Sequence, residues 1–141
     1  MKTVRQMLHG KTPLISTSST ATVYDALALM AKHDVGALVV LDDGRLAGMF
    51  SERDYARKVI LLGKTSKQLA VSAIMTPRVL CVGLDDSVEA CMTLMTEKHV
   101  RHLPVLEGST VVGLVSIGDV VKALLHEQQF VITQLERYIT A

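Results

Sequence analysis

The sequence predicts a mixed α/β (α+β) fold in which two pseudo-symmetric β-α-β-β-α units pack sheet to sheet, followed by an extra C-terminal helix. Three observations carry this prediction. The seven-residue pattern GMFSERD at 48–54 returns as GLVSIGD at 113–119. The apolar residues around both copies alternate between the spacing of helices and that of buried strands. A chain of 141 residues, 49% of them hydrophobic, can bury the core that two such units would share.

The repeat keeps one offset of 65 residues, without a gap, from Thr22 and Ser87 to Asp54 and Asp119. Over this stretch TVYDALALMAKHDVGALVVL aligns with SVEACMTLMTEKHVRHLPVL, and apolar residues meet apolar residues in register. Self-similarity at a fixed period indicates that one structural unit occurs twice. We expect an N-terminal segment, a first unit, a linker, a second unit and a helical tail at residues 1–13, 14–62, 63–76, 77–126 and 127–141.

Each unit contains the same predicted elements in the same order. A short strand opens the unit, at 14–18 and 79–83, and a helix follows whose apolar residues recur at i, i+3, i+4 and i+7. Thr22 and Asp86 are the expected N-caps of these helices. Two buried strands joined by a turn come next, at 37–41 with 46–50 and at 103–106 with 111–115. The strands that flank the helix should be parallel, and those joined by the turn antiparallel. A closing helix is expected at 52–62 and again at 117–126.

The composition argues against several classes of protein. A formal net charge of +1 gives no reason to expect nucleic-acid or membrane binding. No apolar run approaches the ~18 residues of a spanning helix, and the opening MKTVRQMLHG lacks the apolar stretch of a secretory signal. Cys81 and Cys91 lie inside apolar patterns and are expected to be buried, reduced thiols. His99 and His102 have no further ligand at a recognisable spacing, so no metal site is predicted. We therefore expect a cytoplasmic protein.

The repeated Ser-x-x-Asp, Ser51 to Asp54 and Ser116 to Asp119, allows two interpretations. A Ser at a helix N-cap followed three residues later by an acid is close to a capping box, and each Asp would favour the positive end of the helix dipole. The same geometry also suits a nucleotide. Free N–H groups at a helix N-terminus can face a phosphate, and a nearby carboxylate can accept hydrogen bonds from the two hydroxyls of a ribose.

The doubled strand-helix-strand-strand-helix unit, each copy ending in Gly-apolar-apolar-Ser-x-x-Asp, resembles a tandem pair of CBS domains, also known as a Bateman module. AIMTP at 73–77 and HLPVLEG at 102–108 add to the resemblance, which covers residues 4 to 126. FSERDYARKV at 50–59 is similar to a group of stand-alone bacterial pairs. The resemblance implies a regulatory module that binds an adenine nucleotide, AMP, ATP or NAD(H), without a catalytic cofactor.

The resemblance also implies roles for individual residues. Asp54 and Asp119 would hold the ribose hydroxyls, and Ser51 and Ser116 would help to bind phosphate or ribose. The adenine would lie between the opening strand of one unit and the aspartate-bearing element of the other. On this pattern the cleft of Asp119 is lined by Ile15, Gly36 and Ala37. The cleft of Asp54 is lined by Thr76, Pro77, Leu80 and His102. Arg101 and His102 would reach phosphates.

The two clefts should differ in affinity because the repeat is unequal at charged positions. Gly36-Ala37 stands where the second copy has Arg101-His102, and Arg53 stands where the second copy has Gly118. Arg53 offers a fork of donors that suits a phosphate. The alternatives are a solvated Arg53 and an ion pair of Arg101 with Glu97.

The tail carries a broken apolar stripe, which predicts two helices that bend near 127–130. The stripe consists of Val121, Leu124, Leu125, Phe130, Val131, Leu135 and Tyr138. One monomer has no evident place to bury it, and CBS pairs commonly form disc-like homodimers, so we expect a homodimer. Two functions remain open. One is an energy-sensing regulator that binds an adenine nucleotide and signals to an unidentified partner protein. The other is a ligand-free, dimeric interaction scaffold. No enzyme is predicted, because no nucleophile–base–orienter set is present.

Overall fold

The structure, a computed structural model, describes residues 2–140. Its elements in chain order are α1 (Val4–Leu8), β1 (Ser16–Thr17), α2 (Val23–His33), β2 (Ala37–Asp42), β3 (Arg45–Ser51), α3 (Glu52–Tyr55), β4 (Val82–Gly83), α4 (Val88–Lys98), β5 (His102–Glu107), β6 (Thr110–Ser116) and α5 (Ile117–Thr140). A π-helical turn (Ala56–Ile60) continues α3, and a 3₁₀ turn (Val71–Ala73) precedes β4. The mixed α/β class and the order of elements are therefore confirmed.

The chain divides into two compact units. The first unit consists of Pro13–Leu80 with Gly108–Val111, and the second consists of the chain up to Thr12, Cys81–Glu107 and the chain from Val112 onward.

In the first unit a three-stranded sheet of order β1-β2-β3 packs against α2. β1 and β2 are parallel, and β2 and β3 are antiparallel, as predicted. The register places Ala37 opposite Ser51, at the end of β3 where the Ser-x-x-Asp begins. The core is aliphatic apart from Phe50 and includes Val23, Met30, Leu38, Val59, Val71 and Ile74. This apolar burial is the main driving force for the unit, at about 1.5–3 kcal/mol for each large side chain.

The second unit repeats this arrangement with the sheet order β4-β5-β6, in which β4 and β5 are parallel. Its core contains Val82, Val88, Cys91, Met95, Leu103, Val105, Val115 and Val120. Cys91 is fully buried there, and burial is the main cause that raises the pKa of its thiol. A buried thiol that holds its proton is a poor nucleophile, which agrees with a packing role.

Each unit also incorporates a chain segment from outside its repeat. Helix α1 joins the second unit, and the segment around the 3₁₀ turn joins the first. Val4 donates its backbone N–H to the carbonyl of Asp86 at 2.9 Å, and Val71 donates to Ala21 at 2.8 Å in the equivalent place. The side chains of Val4 and Met7 complete the core of the second unit, and those of Val71 and Ile74 complete the first. The stretch 63–76, expected as a linker, thus contributes core residues in the same way as α1.

Two expectations from the sequence are wrong in detail. The tail is one continuous helix, α5, rather than two helices that bend near 127–130. The chain has neither Gly nor Pro after Gly118, so no helix-breaking residue interrupts the backbone hydrogen bonds of α5. The N-cap of α4 is Ser87, whose hydroxyl accepts the N–H of Ala90 at 3.0 Å, whereas the carboxylate of Asp86 accepts the N–H of Gly83.

Candidate functional site

The first Ser-x-x-Asp lies where β3 ends and α3 begins. Ser51 donates its backbone N–H to Asp54 Oδ2 at 3.0 Å and its hydroxyl to the same oxygen at 3.1 Å. Asp54 donates its own backbone N–H to Ser51 Oγ at 3.2 Å. This reciprocal pair is a capping box, with Asp in the place that Glu or Gln usually takes. The cap interpretation is therefore correct as geometry, and it holds the carboxylate rigidly at the strand-helix junction.

Two further side chains reach the carboxylate of Asp54, and we name the group the Asp54 corner: Ser51, Asp54, Lys58 and Thr76. Lys58 Nζ lies 3.2 Å from Asp54 Oδ1, and Thr76 Oγ1 donates to the same oxygen at 3.4 Å. The Asp54 side chain is 13% exposed. A polar ligand that takes this carboxylate would have to replace bonds that it already makes.

The second Ser-x-x-Asp has the same internal geometry at the junction of β6 and α5. Ser116 donates its N–H to Asp119 Oδ2 at 2.8 Å and its hydroxyl at 3.0 Å, and Asp119 N–H donates back to Ser116 Oγ at 3.2 Å. Lys11 Nζ lies 2.6 Å from the same Oδ2. We name Lys11, Ser116 and Asp119 the Asp119 corner. Its carboxylate is 24% exposed, more than that of Asp54.

The electrostatics of Asp119 favour the ionised carboxylate. Partial burial by itself would raise its pKa, but the hydrogen bonds from Lys11 and Ser116 and the charge of Lys11 outweigh burial, and the pKa is lowered. His102 is close enough to Asp119 and Lys11 for their charges to act on it. Burial is the largest influence on His102 and lowers its pKa, although the charge of Asp119 acts in the opposite direction. The imidazole is therefore predominantly neutral near pH 7 and can both donate and accept hydrogen bonds.

The structure distributes the remaining predicted residues between the units. Gly36 and Ala37 lie beside Ser51, since Gly36 O accepts the N–H of Glu52 at 3.1 Å. Arg101 and His102 occupy the matching place beside Ser116, where Arg101 O accepts the N–H of Ile117 at 2.9 Å. Ile15 is half-buried against the first core, whereas Arg53, Pro77, Leu80, Arg101 and Gly118 are exposed. Thr76, Pro77 and Leu80 lie in the same compact unit as Asp54, and Thr76 contacts it directly. The pairing of His102 with Asp54, and of Ile15, Gly36 and Ala37 with Asp119, stays a prediction.

Lys11 and Lys58 are site residues that were not predicted from the sequence. Lys58 follows Asp54 at i+4, a spacing at which ion pairs on a helix form, so the signal was present in the sequence. Lys11 lies 108 positions from Asp119, and only the fold brings them together.

Several other features of the described part of the chain bear on function. No helix within residues 2–140 is both long and apolar enough to cross a membrane. No group of three or more His, Cys, Asp or Glu side chains in the described residues is arranged to hold a metal ion.

Comparison with known proteins identifies the family. The family model described as CBS domain matches residues 4–60 and 71–126, which includes the chain segments that precede both repeats. The chain belongs to the CBS-domain family. It is a tandem CBS pair, and the resemblance seen in its sequence is confirmed.

Relatives and solved structures agree with this assignment. The chain is 45% identical over 123 residues to the mitochondrial CBS domain-containing protein CBSX3 of Arabidopsis thaliana, covering 84% of this chain and 60% of CBSX3. A protein with CBS domains from Burkholderia ambifaria MC40-6 has a TM-score of 0.86 and 45% identity, covering 90% of this chain and 96% of that one. The CBS domain pair of protein MJ0100, solved in complex with 5′-methylthioadenosine and S-adenosyl-L-methionine, has a TM-score of 0.79 at 23% identity, covering 90% and 98% of the two chains.

Proposed function

We propose that this CBS pair is a regulatory, non-catalytic module that binds an adenine nucleotide at the Asp54 and Asp119 corners. The observation that carries the proposal is the repeated carboxylate: each unit holds an Asp rigidly at a strand-helix junction, with a Ser hydroxyl and a Lys ammonium beside it. A fixed carboxylate suits the paired hydroxyls of a ribose, and an ammonium suits a phosphate. Family membership supports the same ligand class.

AMP, ATP and NAD(H) are the candidate ligands. MJ0100 is a CBS pair with adenosine compounds bound, but its 23% identity relates the two proteins by fold alone. Support for the ligand in this chain therefore comes from its own Asp, Ser and Lys side chains. The remaining proposed contacts are those implied by the family pattern: Ile15, Gly36, Ala37, Arg53, Thr76, Pro77, Leu80, Arg101, His102 and Gly118. The Thr76 hydroxyl donates to Asp54, which supports its inclusion.

The regulated partner would read a change of shape, in a cytoplasmic homodimer. A ligand shifts a conformational equilibrium only if it binds the two states with different affinity, so the regulatory role requires such a difference. The homodimer is supported by the apolar side chains that α5 exposes, among them Leu125, Phe130 and Leu135. Tyr138, which belongs to the predicted apolar stripe, lies outside the residues whose side chains are described.

A dimeric scaffold without a ligand is the second candidate, and one observation favours it. Both carboxylates already make contacts within the protein, through the reciprocal Ser bonds and with a lysine. Such groups stabilise the strand-helix junctions whether or not a ligand ever binds.

Thermal unfolding of the purified protein separates the two candidates. The panel contains AMP, ADP, ATP, NAD, NADH and S-adenosylmethionine, with GTP as the control. A ligand at 100 times its dissociation constant stabilises by about 2.7 kcal/mol, which raises the midpoint by several degrees. A rise with an adenine compound and none with GTP supports the sensor. Mass spectrometry first shows that the protein carries no bound nucleotide. If no compound then raises the midpoint, the scaffold is the better explanation.

A further inference from the structure

The Asp119 corner has a lysine ammonium where the Asp54 corner has a threonine. Lys11 Nζ contacts two acceptors, Asp119 Oδ2 at 2.6 Å and the backbone carbonyl of Leu114 at 2.8 Å. In the first unit the residue at the repeat position of Leu114 is Met49, whose carbonyl accepts the backbone N–H of Thr76 at 2.8 Å. The ammonium of Lys11 thus takes the place that Thr76 holds in the other unit.

Thr76 also matches Lys11 at the carboxylate itself. Its neutral hydroxyl donates to Asp54 Oδ1 at 3.4 Å, where Lys11 makes a charged contact with Asp119 at 2.6 Å. A charged donor at the shorter distance makes the stronger bond. Asp54 does have a charged neighbour in Lys58, but that contact is longer, at 3.2 Å, and comes from the same helical segment as Asp54.

A small difference in chain length explains how Lys11 arrives there. Val4 and Val71 make equivalent hydrogen bonds, so residues 2–8 correspond to residues 69–75, an offset of 67. In their pairing with β2 and β5, the strands β1 and β4 that follow keep the repeat offset of 65. The connection from Leu8 to β1 is therefore two residues longer than the connection from Met75 to β4. The added length forms a turn with Gly10 at φ +78°, and Lys11 N–H donates to Leu8 O at 3.1 Å. A left-handed φ of this kind favours Gly.

The contact of Lys11 with Asp119 is strong but open to exchange. The Lys11 side chain is 34% exposed and its four-carbon stem can swing while three donors stay available. Lys11 and Ser116 both contact Oδ2 of Asp119. When the two ribose hydroxyls engage both carboxylate oxygens, the hydroxyl that reaches Oδ2 must take the place of this ammonium. A ligand with a 5′-phosphate offers the displaced ammonium a new anionic partner on the same molecule. An uncharged nucleoside offers none, so the ammonium would lose a charge-assisted bond without replacement.

We propose that Lys11 makes the Asp119 corner selective for adenine nucleotides that carry a 5′-phosphate over the uncharged nucleoside. The inference rests on the proposed function and adds to it a residue that determines specificity. On binding, the Lys11 ammonium exchanges its contact with Asp119 for a contact with the ligand phosphate, and the Asp119 carboxylate then accepts hydrogen bonds from the ribose hydroxyls. Lys11 therefore hinders adenosine and assists AMP.

The test compares AMP with adenosine, which share base and ribose and differ in the phosphate. Binding is measured by isothermal titration calorimetry in the Asp54→Ala background, which removes the carboxylate of the first corner. Lys11→Met should tighten adenosine binding and weaken AMP binding, so that the preference for AMP falls by about tenfold or more, the size of one charge-assisted hydrogen bond. Lys11→Arg keeps the charge and should keep most of the preference. Lys98→Met removes an exposed lysine of the same unit and should leave the preference unchanged.

The outcomes separate this inference from the proposed function. If Lys11→Met changes both affinities by one factor, or neither, then Lys11 does not select for phosphate. If wild type binds AMP but the Asp54→Ala protein does not, the Asp119 corner takes no nucleotide; the inference fails while the proposed function stands. If nucleotide-free wild type binds neither compound, both fail together. Circular dichroism checks that each variant is folded, and Lys11→Gln replaces Lys11→Met should that variant not fold.

Discussion

Thr76 and Met49 exchange both of their backbone hydrogen bonds, with Thr76 N–H donating at 2.8 Å and Met49 N–H donating at 3.0 Å. This contact draws the segment before β4 onto β3 beside Gly48. A Cβ at Gly48 would lie 2.6 Å from the carbonyl oxygen of Thr76. The glycine of the repeated GMFSERD pattern is therefore required by a close approach of backbone to backbone, next to the proposed nucleotide site.

Gly48→Ala should consequently destabilise the protein more than Gly113→Ala. At Gly113 the added Cβ would meet the end of the Leu8 side chain at 2.8 Å, and a side chain can turn away where a backbone carbonyl cannot. Overpacking of this kind costs about 1–3 kcal/mol, and we expect Gly48→Ala in that range and Gly113→Ala below it. Urea unfolding measures both. Gly83→Ala is the control, because its Cβ has ordinary contacts, the nearest at 3.7 Å. Equal losses for Gly48→Ala and Gly83→Ala would disprove this account of the repeated glycine.

Asp119 should give stability a measurable pH dependence. Its pKa is lowered in the folded protein, so it contributes stability that is complete above the unfolded value, near 3.8, and is lost as the pH falls through the lower folded value. The difference in unfolding free energy between wild type and Asp119→Asn should stay constant from pH 7 to about pH 5 and shrink below about pH 4. Urea titrations at each pH measure the difference, and Asp25→Asn corrects for removing a surface charge. A difference that grows as the pH falls would contradict the ion pair with Lys11.

The exposed apolar side of α5 should mediate self-association. Val121, Leu125, Ile132 and Leu135 share one side of the helix and are all exposed. Leu125→Asp with Ile132→Asp places two charges there and should convert a homodimer into monomers, because charges resist burial. Sedimentation velocity measures the change. His126→Asp with Gln134→Asp adds the same two acidic groups away from that side and should leave the dimer intact. A wild-type monomer, or a dimer unaffected by the first pair, would show that this surface has another role.

Much of the fold could be predicted because the repeat supplies each element twice. The repeat aligns Ser87 with Thr22, the cap of α2, and Ser87 rather than the predicted Asp86 is the cap of α4. The positions of β2 and β5 are predictable because each contains a run of consecutive buried apolar residues. The break in the apolar stripe of α5 predicts a bend near 127–130, but Gln and Glu at these positions are good helix formers and the helix continues through them.

The candidate site was predictable only where its residues are close in sequence. Local cap geometry sets the pairs Ser51–Asp54 and Ser116–Asp119, so the sequence predicts both. The sequence does not predict the contact of Lys11 with Asp119, because that contact is tertiary and depends on two extra residues in the chain after Leu8. Spacing along a sequence does not carry that information.

The most direct test of the nucleotide site is calorimetric titration of AMP, ATP and NADH into Asp54→Ala/Asp119→Ala protein beside wild type. The control is Asp25→Ala/Glu89→Ala, which removes first-turn acids of α2 and α4 outside the site. Wild type and the control should bind an adenine compound alike. The Asp54→Ala/Asp119→Ala variant should stay folded and lose about a hundredfold or more in affinity, because charge-assisted bonds to the ribose are lost. Binding of wild-type strength by that variant would show that these carboxylates do not hold a ribose and serve only as helix caps.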